Sequence, residues 1–97
     1  MMIWEVKFRK AATRQAHDLG ERALAVLQVL VDDLRNKGPA PGKQWPNYGK
    51  LHGSKQTDQR HCHLIKGKPT YVCCWEVFKF INRIEVYYVG THEKAPY

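Results

Sequence analysis

The chain has 97 residues and carries 16 Lys or Arg against 9 Asp or Glu, for a net charge of +7. That length supports one domain with one modest core, and a composition 43% hydrophobic and 26% charged is wrong for a disordered chain. The longest apolar stretch, Ala23 to Val31, is broken by Gln28 and is too short to cross a bilayer, so no membrane partner is expected.

The opening MMIWEVKFRK lacks the continuous apolar run of a signal peptide, and no leader is expected. Met2, Trp4, Val6 and Phe8 alternate with Glu5, Lys7 and Arg9, the period-two pattern of a half-buried strand to which Ile3 is the exception. From Ala11 to Lys37 the period becomes helical. Gly20 divides a short first helix from a longer second one, whose stripe is Ala23, Leu24, Leu27, Leu30, Val31 and Leu34. Asn36, Gly38 and Pro39 stop it. Trp4, Phe8, Leu27, Leu30 and Leu34 are the expected core between first strand and second helix.

Residues 38–60 read as a long loop, punctuated by Gly38, Pro39, Pro41, Gly42, Pro46, Gly49 and Gly53. Loops longer than about 15 residues in a small domain are usually functional. This one is also basic: Lys43, Lys50, Lys55, Arg60, Lys66 and Lys68 face only Asp58 between positions 43 and 68. Such a field attracts polyanions, nucleic acid first among them.

The remainder is strand-like. His61 to Lys66 is one run, Gly67-Lys68-Pro69 a turn, and Thr70 to Phe78 a nearly all-apolar run with both faces covered. Asn82 marks a turn before a last strand from Ile84 to Val89. The expected fold is α+β over a single domain of residues 1–97. Its order is β-α-α-β-β-β, a small twisted antiparallel or mixed sheet with two N-terminal helices on one face.

Several residues bear chemistry. His61 and His63 sit two apart on a strand and share a face, with Arg60 before them and Lys66 after. Imidazoles beside cations suit phosphate binding and proton transfer near neutral pH. Cys62, Cys73 and Cys74 make an odd count without a disulfide framework, which points to a reducing cytoplasm. His-Cys-His on a strand sends the cysteine to the opposite face, Cys73 and Cys74 diverge likewise, and no CxxC turn is present. A metal is therefore not expected, nor any other cofactor; the cysteines read as small buried hydrophobes. In the closing GTHEKAPY, Gly90 permits a turn that projects His92 from the sheet, and Tyr97 follows five residues later. Such a pair can serve as acid, base or stacking group on RNA.

Three short motifs then fall in a familiar order. Leu51-His52-Gly53 stands before the second long strand, Tyr71 to Trp75 (YVCCW) within the third, and Val89-Gly90-Thr91-His92 with Tyr97 closes the chain. Together with the order of elements, they resemble the RelE/ParE superfamily of type II toxin–antitoxin toxins over the whole length. The resemblance implies an mRNA endonuclease toxin that acts in the decoding site of the ribosome and inhibits translation. In such members the 2′-hydroxyl attacks the adjacent phosphate, leaving a 2′,3′-cyclic phosphate and a 5′-hydroxyl. By position, His92, Tyr97, His63 and Lys66 would carry the chemistry. Arg60, His61, Lys50, Lys55 and Lys68 would bind RNA, and an acidic antitoxin would be the protein partner. The chain departs from the family where arginines are frequent: Val72 follows the aromatic that opens the third-strand motif, and Glu93 follows the closing histidine. A gyrase-inhibiting toxin of the same fold and a non-catalytic RNA-binding module are the alternatives.

Overall fold

The computed structural model describes residues 3–51 and 57–97. Strand β1 (Glu5–Phe8) is followed by helices α1 (Lys10–His17) and α2 (Glu21–Lys37). Four strands complete the chain: β2 (Gly49–Lys50), β3 (Gln59–Ile65), β4 (Tyr71–Phe78) and β5 (Arg83–Thr91). They form one sheet in the order β1-β5-β4-β3-β2. The last four pair antiparallel, whereas β1 lies parallel to β5, with Val6 opposite Ile84. A parallel pair needs a crossover, and the two helices supply it. The sheet is mixed, within the expected α+β class.

The helical stripe packs as its spacing predicts. Ala23, Leu27, Leu30 and Leu34 are buried, and Trp4, Val6, Phe8, Leu24 and Val31 pack partly buried against the same core. The sheet contributes Cys62, Leu64, Cys73, Trp75, Val77, Ile84, Val86 and Val89 to that face. Gly38 ends α2 with φ +91°, and a Cβ there would lie 3.0 Å from the Trp4 indole nitrogen. Both the left-handed backbone and the close approach of Trp4 favour glycine.

The described part of residues 38–60, positions 38–51 and 57–60, is more structured than its punctuation suggested. Pro41 and Trp45 are buried, and the Trp45 indole donates to Asp33 on α2 at 2.9 Å. The segment then runs beside β3: the His63 amide donates to the Pro46 carbonyl, and Gly49 and Lys50 pair with His61 and Arg60. Backbone polarity hidden in turn-forming residues became an edge strand, because the β3 edge offered partners. The strand β3 accordingly starts at Gln59, two residues earlier than its apolar alternation indicates, and β5 runs on to Thr91.

Val72, Cys73, Cys74 and Trp75 are all fully buried, as the apolar run of β4 required. Helices cover one face. On the other, Val72, Cys74 and Tyr88 form a second small core with Tyr87 and Ala95 packed against it. A bulge helps: Cys74 pairs with Tyr88 but Trp75 with Val86, so Tyr87 is the extra residue and both tyrosines serve this face.

Candidate functional site on the open sheet face

The alternation of β3 buries Arg60, Cys62 and Leu64 and leaves His61 and His63 half-buried on the opposite, helix-free face. The chain end returns to meet them. After β5, the amide of His92 donates to the carbonyl of Thr70 at 2.8 Å, and the Tyr88 hydroxyl donates to the carbonyl of Thr91 at 2.7 Å. A side chain at Gly90 would obstruct this, since its Cβ would meet the Tyr88 hydroxyl at 2.7 Å. Ala95 then seats on Val72, Cys74 and Tyr88, bringing Tyr97 back over β3.

Four rings converge as a result. The Tyr97 ring centre lies 4.7 Å from that of His61 and 6.0 Å from that of His92. His63 is 5.3 Å from His92 and 6.3 Å from His61. Residues up to 36 positions apart in the chain thus share one patch. The His61 Nδ1 stands 3.2 Å from the Gly49 carbonyl. A carbonyl only accepts, so Nδ1 carries the proton and Nε2 keeps a free lone pair.

The electrostatics favour neutral imidazoles on β3. Burial pushes His61 below the ordinary histidine value, the Gly49 carbonyl opposes that shift, and the field of His92 adds to it. Burial lowers His63 as well, reinforced by His92, His61 and Lys66. At neutral pH these rings act as proton acceptors and N–H donors rather than as fixed cations. Burial raises the Tyr97 phenol, which therefore stays protonated as a donor.

The remaining expected residues divide. Lys66 is exposed at the end of β3 and its charge reaches His63. Lys68 is exposed in the turn beyond, beside His92. Arg60, expected to join the phosphate-binding row, lies elsewhere. It is 6% exposed on the helix side, fixed by two bonds to the Asp58 carboxylate at 2.8 and 2.9 Å and one to the Tyr48 hydroxyl at 3.0 Å. The alternation that unites His61 and His63 sends residue 60 to the other face. Lys50 pairs with Arg60 in register and sits, exposed, on the same edge. Lys55, and the His52 and Gly53 of the Leu51-His52-Gly53 motif, lie outside the described residues. The cysteines take the expected packing role: burial pushes the Cys62 and Cys74 thiols up to about 12, and Cys73 well above its ordinary value.

Sequence reasoning passed over the residues that aim the tail, Tyr88, Thr70 and Ala95. It also passed over Arg9. Glu76 and Glu85 are cross-strand partners on the open face, a repulsive pair. Arg9 resolves it by bonding Glu76 at 2.8 Å and Glu85 at 3.0 Å, with its guanidinium 5.6 Å above the Tyr87 ring. Arg83, 3.7 Å from the other Glu85 oxygen, adds a second cation to this pair.

No family model matches the chain, and no curated protein sequence matches it. Solved structures do. The RelE–RelB complex of the archaeon Pyrococcus horikoshii includes a chain of 19% identity that superposes with a TM-score of 0.77, over 97% of this chain and 100% of that one. The isolated E. coli RelE toxin gives a TM-score of 0.66 at 18% identity, over 96% of this chain and 88% of that one. A metal-bound toxin from Helicobacter pylori gives 0.71 at 18% identity, over 95% and 98%. The two-helix, five-strand architecture of this chain is the RelE fold.

Proposed function

We propose that the chain is the toxin of a type II toxin–antitoxin pair, a cytoplasmic endonuclease that cuts messenger RNA on the ribosome. The observation that carries this reading is the convergence of His61, His63, His92 and Tyr97 on one open sheet face. The RelE fold and the net charge of +7 support it. RNA self-cleavage moves two protons and develops charge on phosphate. A base takes the proton from the 2′-hydroxyl as its oxygen bonds to phosphorus. The bond from phosphorus to the 5′-oxygen breaks, and an acid protonates the departing oxygen, leaving a 2′,3′-cyclic phosphate. Paired imidazoles can divide those tasks. His92 is exposed and can reach a strand lying on the sheet. His63 stands beside it, Tyr97 offers a donor and a stacking ring, and Lys66 with Lys68 supply positive charge. His61 extends the contact along the strand, whereas Lys50, in register with Arg60, lies on the opposite face with it. Arg60 is assigned to packing instead.

An acidic antitoxin fits the basic charge, and the partner in the archaeal structure is RelB. Antitoxin affinity that falls as salt rises supports an electrostatic share; salt-insensitive binding opposes it.

The test is primer extension on ribosome-bound message. Wild type should cut. His92→Ala should lose about 10²–10⁴ in rate and abolish growth arrest, with fold and antitoxin binding retained. Lys66→Ala should lose less, and its deficit relative to wild type should shrink at high salt, where the lysine charge is screened. Undiminished cleavage by His92→Ala removes His92 from the mechanism. A second reading, gyrase inhibition, is favoured by one observation: the position where a third-strand arginine is frequent is Val72, fully buried beneath the tail. Absence of cleavage together with arrested DNA replication would establish it.

A further inference from the structure

Beside the ring cluster, on the far side of His92, lies a pocket of about 470 Å³ lined by Gly67, Lys68, Pro69, Thr70, His92 and Glu93. Its frame is fixed. The Thr70 hydroxyl donates to the Gly67 carbonyl at 2.9 Å and accepts from the Gly67 amide at 3.2 Å, while the Thr70 carbonyl takes the His92 amide. The hydroxyl and amide hydrogens of that frame have no capacity left over for a ligand. Lys68 and Glu93 do: among the described residues neither makes an ion pair or a side-chain hydrogen bond, although both line the same space. The pocket therefore presents one free cation and one free anion, with the Pro69 and His92 rings among its walls.

Glu93 is the informative member. On a surface that holds RNA phosphate, an unpaired carboxylate costs affinity through like-charge repulsion. It suits a base edge instead, where carboxylates accept from exocyclic amino groups. Guanine alone offers two adjacent N–H donors, N1–H and the N2 amino group, which match both oxygens of one carboxylate. Its O6 acceptor lies next to them and suits an ammonium. Adenine, cytosine and uracil each present a single donor position on the same edge.

We propose that this pocket is a base-recognition subsite for guanine. Glu93 accepts from N1–H and N2–H, Lys68 donates to O6, and the base stacks within reach of His92 and Pro69. His92 belongs to both sites, so a guanosine seated here places its neighbouring phosphate beside the ring cluster. The inference rests on the RNA-cleaving reading for its biological setting, but the binding itself does not depend on cleavage.

The experiment is a heteronuclear NMR titration of the intact protein with the 3′-monophosphates of guanosine, adenosine, cytidine and uridine. Guanosine 3′-monophosphate should bind roughly tenfold tighter than the other three, the low end for one bidentate contact. The largest shifts should fall on Lys68, His92 and Glu93. Glu93→Gln, at an exposed position, should erase the preference, and Lys68→Ala should weaken guanosine binding in particular. Equal affinity for all four, shifts centred elsewhere, or no guanosine binding up to millimolar concentration overturns the subsite. On ribosome-bound message, wild-type cuts should lie next to guanosine and Glu93→Gln should lose that bias. A uniform fall in rate with the bias kept would make Glu93 a proton carrier and overturn base recognition. If no message is cut at all, the nuclease reading fails while the titration still decides the subsite.

Discussion

The Tyr88 hydroxyl donates to the carbonyl of Thr91, the residue immediately before His92, at 2.7 Å. This bond aims the tail, and it exists because Gly90 leaves room for the Tyr88 ring. Tyr88 is thus a positioning residue for His92. Tyr88→Phe removes one hydrogen bond, a cost of about 0.5–1.5 kcal/mol, and should lower RNA cleavage several-fold. Gly90→Ala should do more harm, since its Cβ and the tyrosine hydroxyl cannot both occupy the space. A purely structural role for Tyr88 would reduce the folded fraction and leave the NMR signals of the His92 ring in place. Displaced His92 ring signals in a fully folded Tyr88→Phe protein mark positioning.

Stability should respond to pH through β3. His61 and His63 are held below the ordinary histidine value of about 6.5, so between that value and their folded values the unfolded chain binds more protons. Stability is therefore complete above about pH 6.5 and declines as pH falls through that value towards the folded ones. Denaturant midpoints compared across this range check it. Replacing both His61 and His63 with Asn should flatten the dependence; a slope unchanged in that variant would assign it to other groups.

Arg60 should behave as a structural cation. Its three side-chain bonds, to Asp58 and Tyr48, are made on the helix side of the sheet. Arg60→Ala leaves the Asp58 carboxylate without its partner and should cost about 1.5–3 kcal/mol. RNA affinity of the folded variant should keep its salt slope, because no phosphate contact is lost. A slope reduced by about one unit would return Arg60 to the RNA-binding set.

Leu30 is fully buried at the centre of the α2 stripe. Leu30→Ala should cost about 2–5 kcal/mol, a large share of the stability of a domain this size. Chemical denaturation measures it directly, and an unfolding free energy equal to wild type would place the core elsewhere.

Local pattern determined a good part of this protein. Helical spacing in α2 buried Ala23, Leu27, Leu30 and Leu34, and alternation in β1 and β3 chose the inward side chains, because period alone decides which residues share a face. The same rule put His61 and His63 together. It also sent Arg60 away from them, a consequence implicit in its odd offset from both histidines that charge counting overlooked. Tertiary structure decided the rest. The parallel pairing of β1 with β5 and the edge strand at Gly49–Lys50 depend on which backbone edges remain free once the meander has formed. The meeting of Tyr97 with His61 depends on Ala95 finding the small core of Val72, Cys74 and Tyr88, and on Tyr88 reaching past Gly90 to Thr91. Those contacts join residues distant in the chain. No local period records such contacts, because each partner becomes available only after the sheet has assembled.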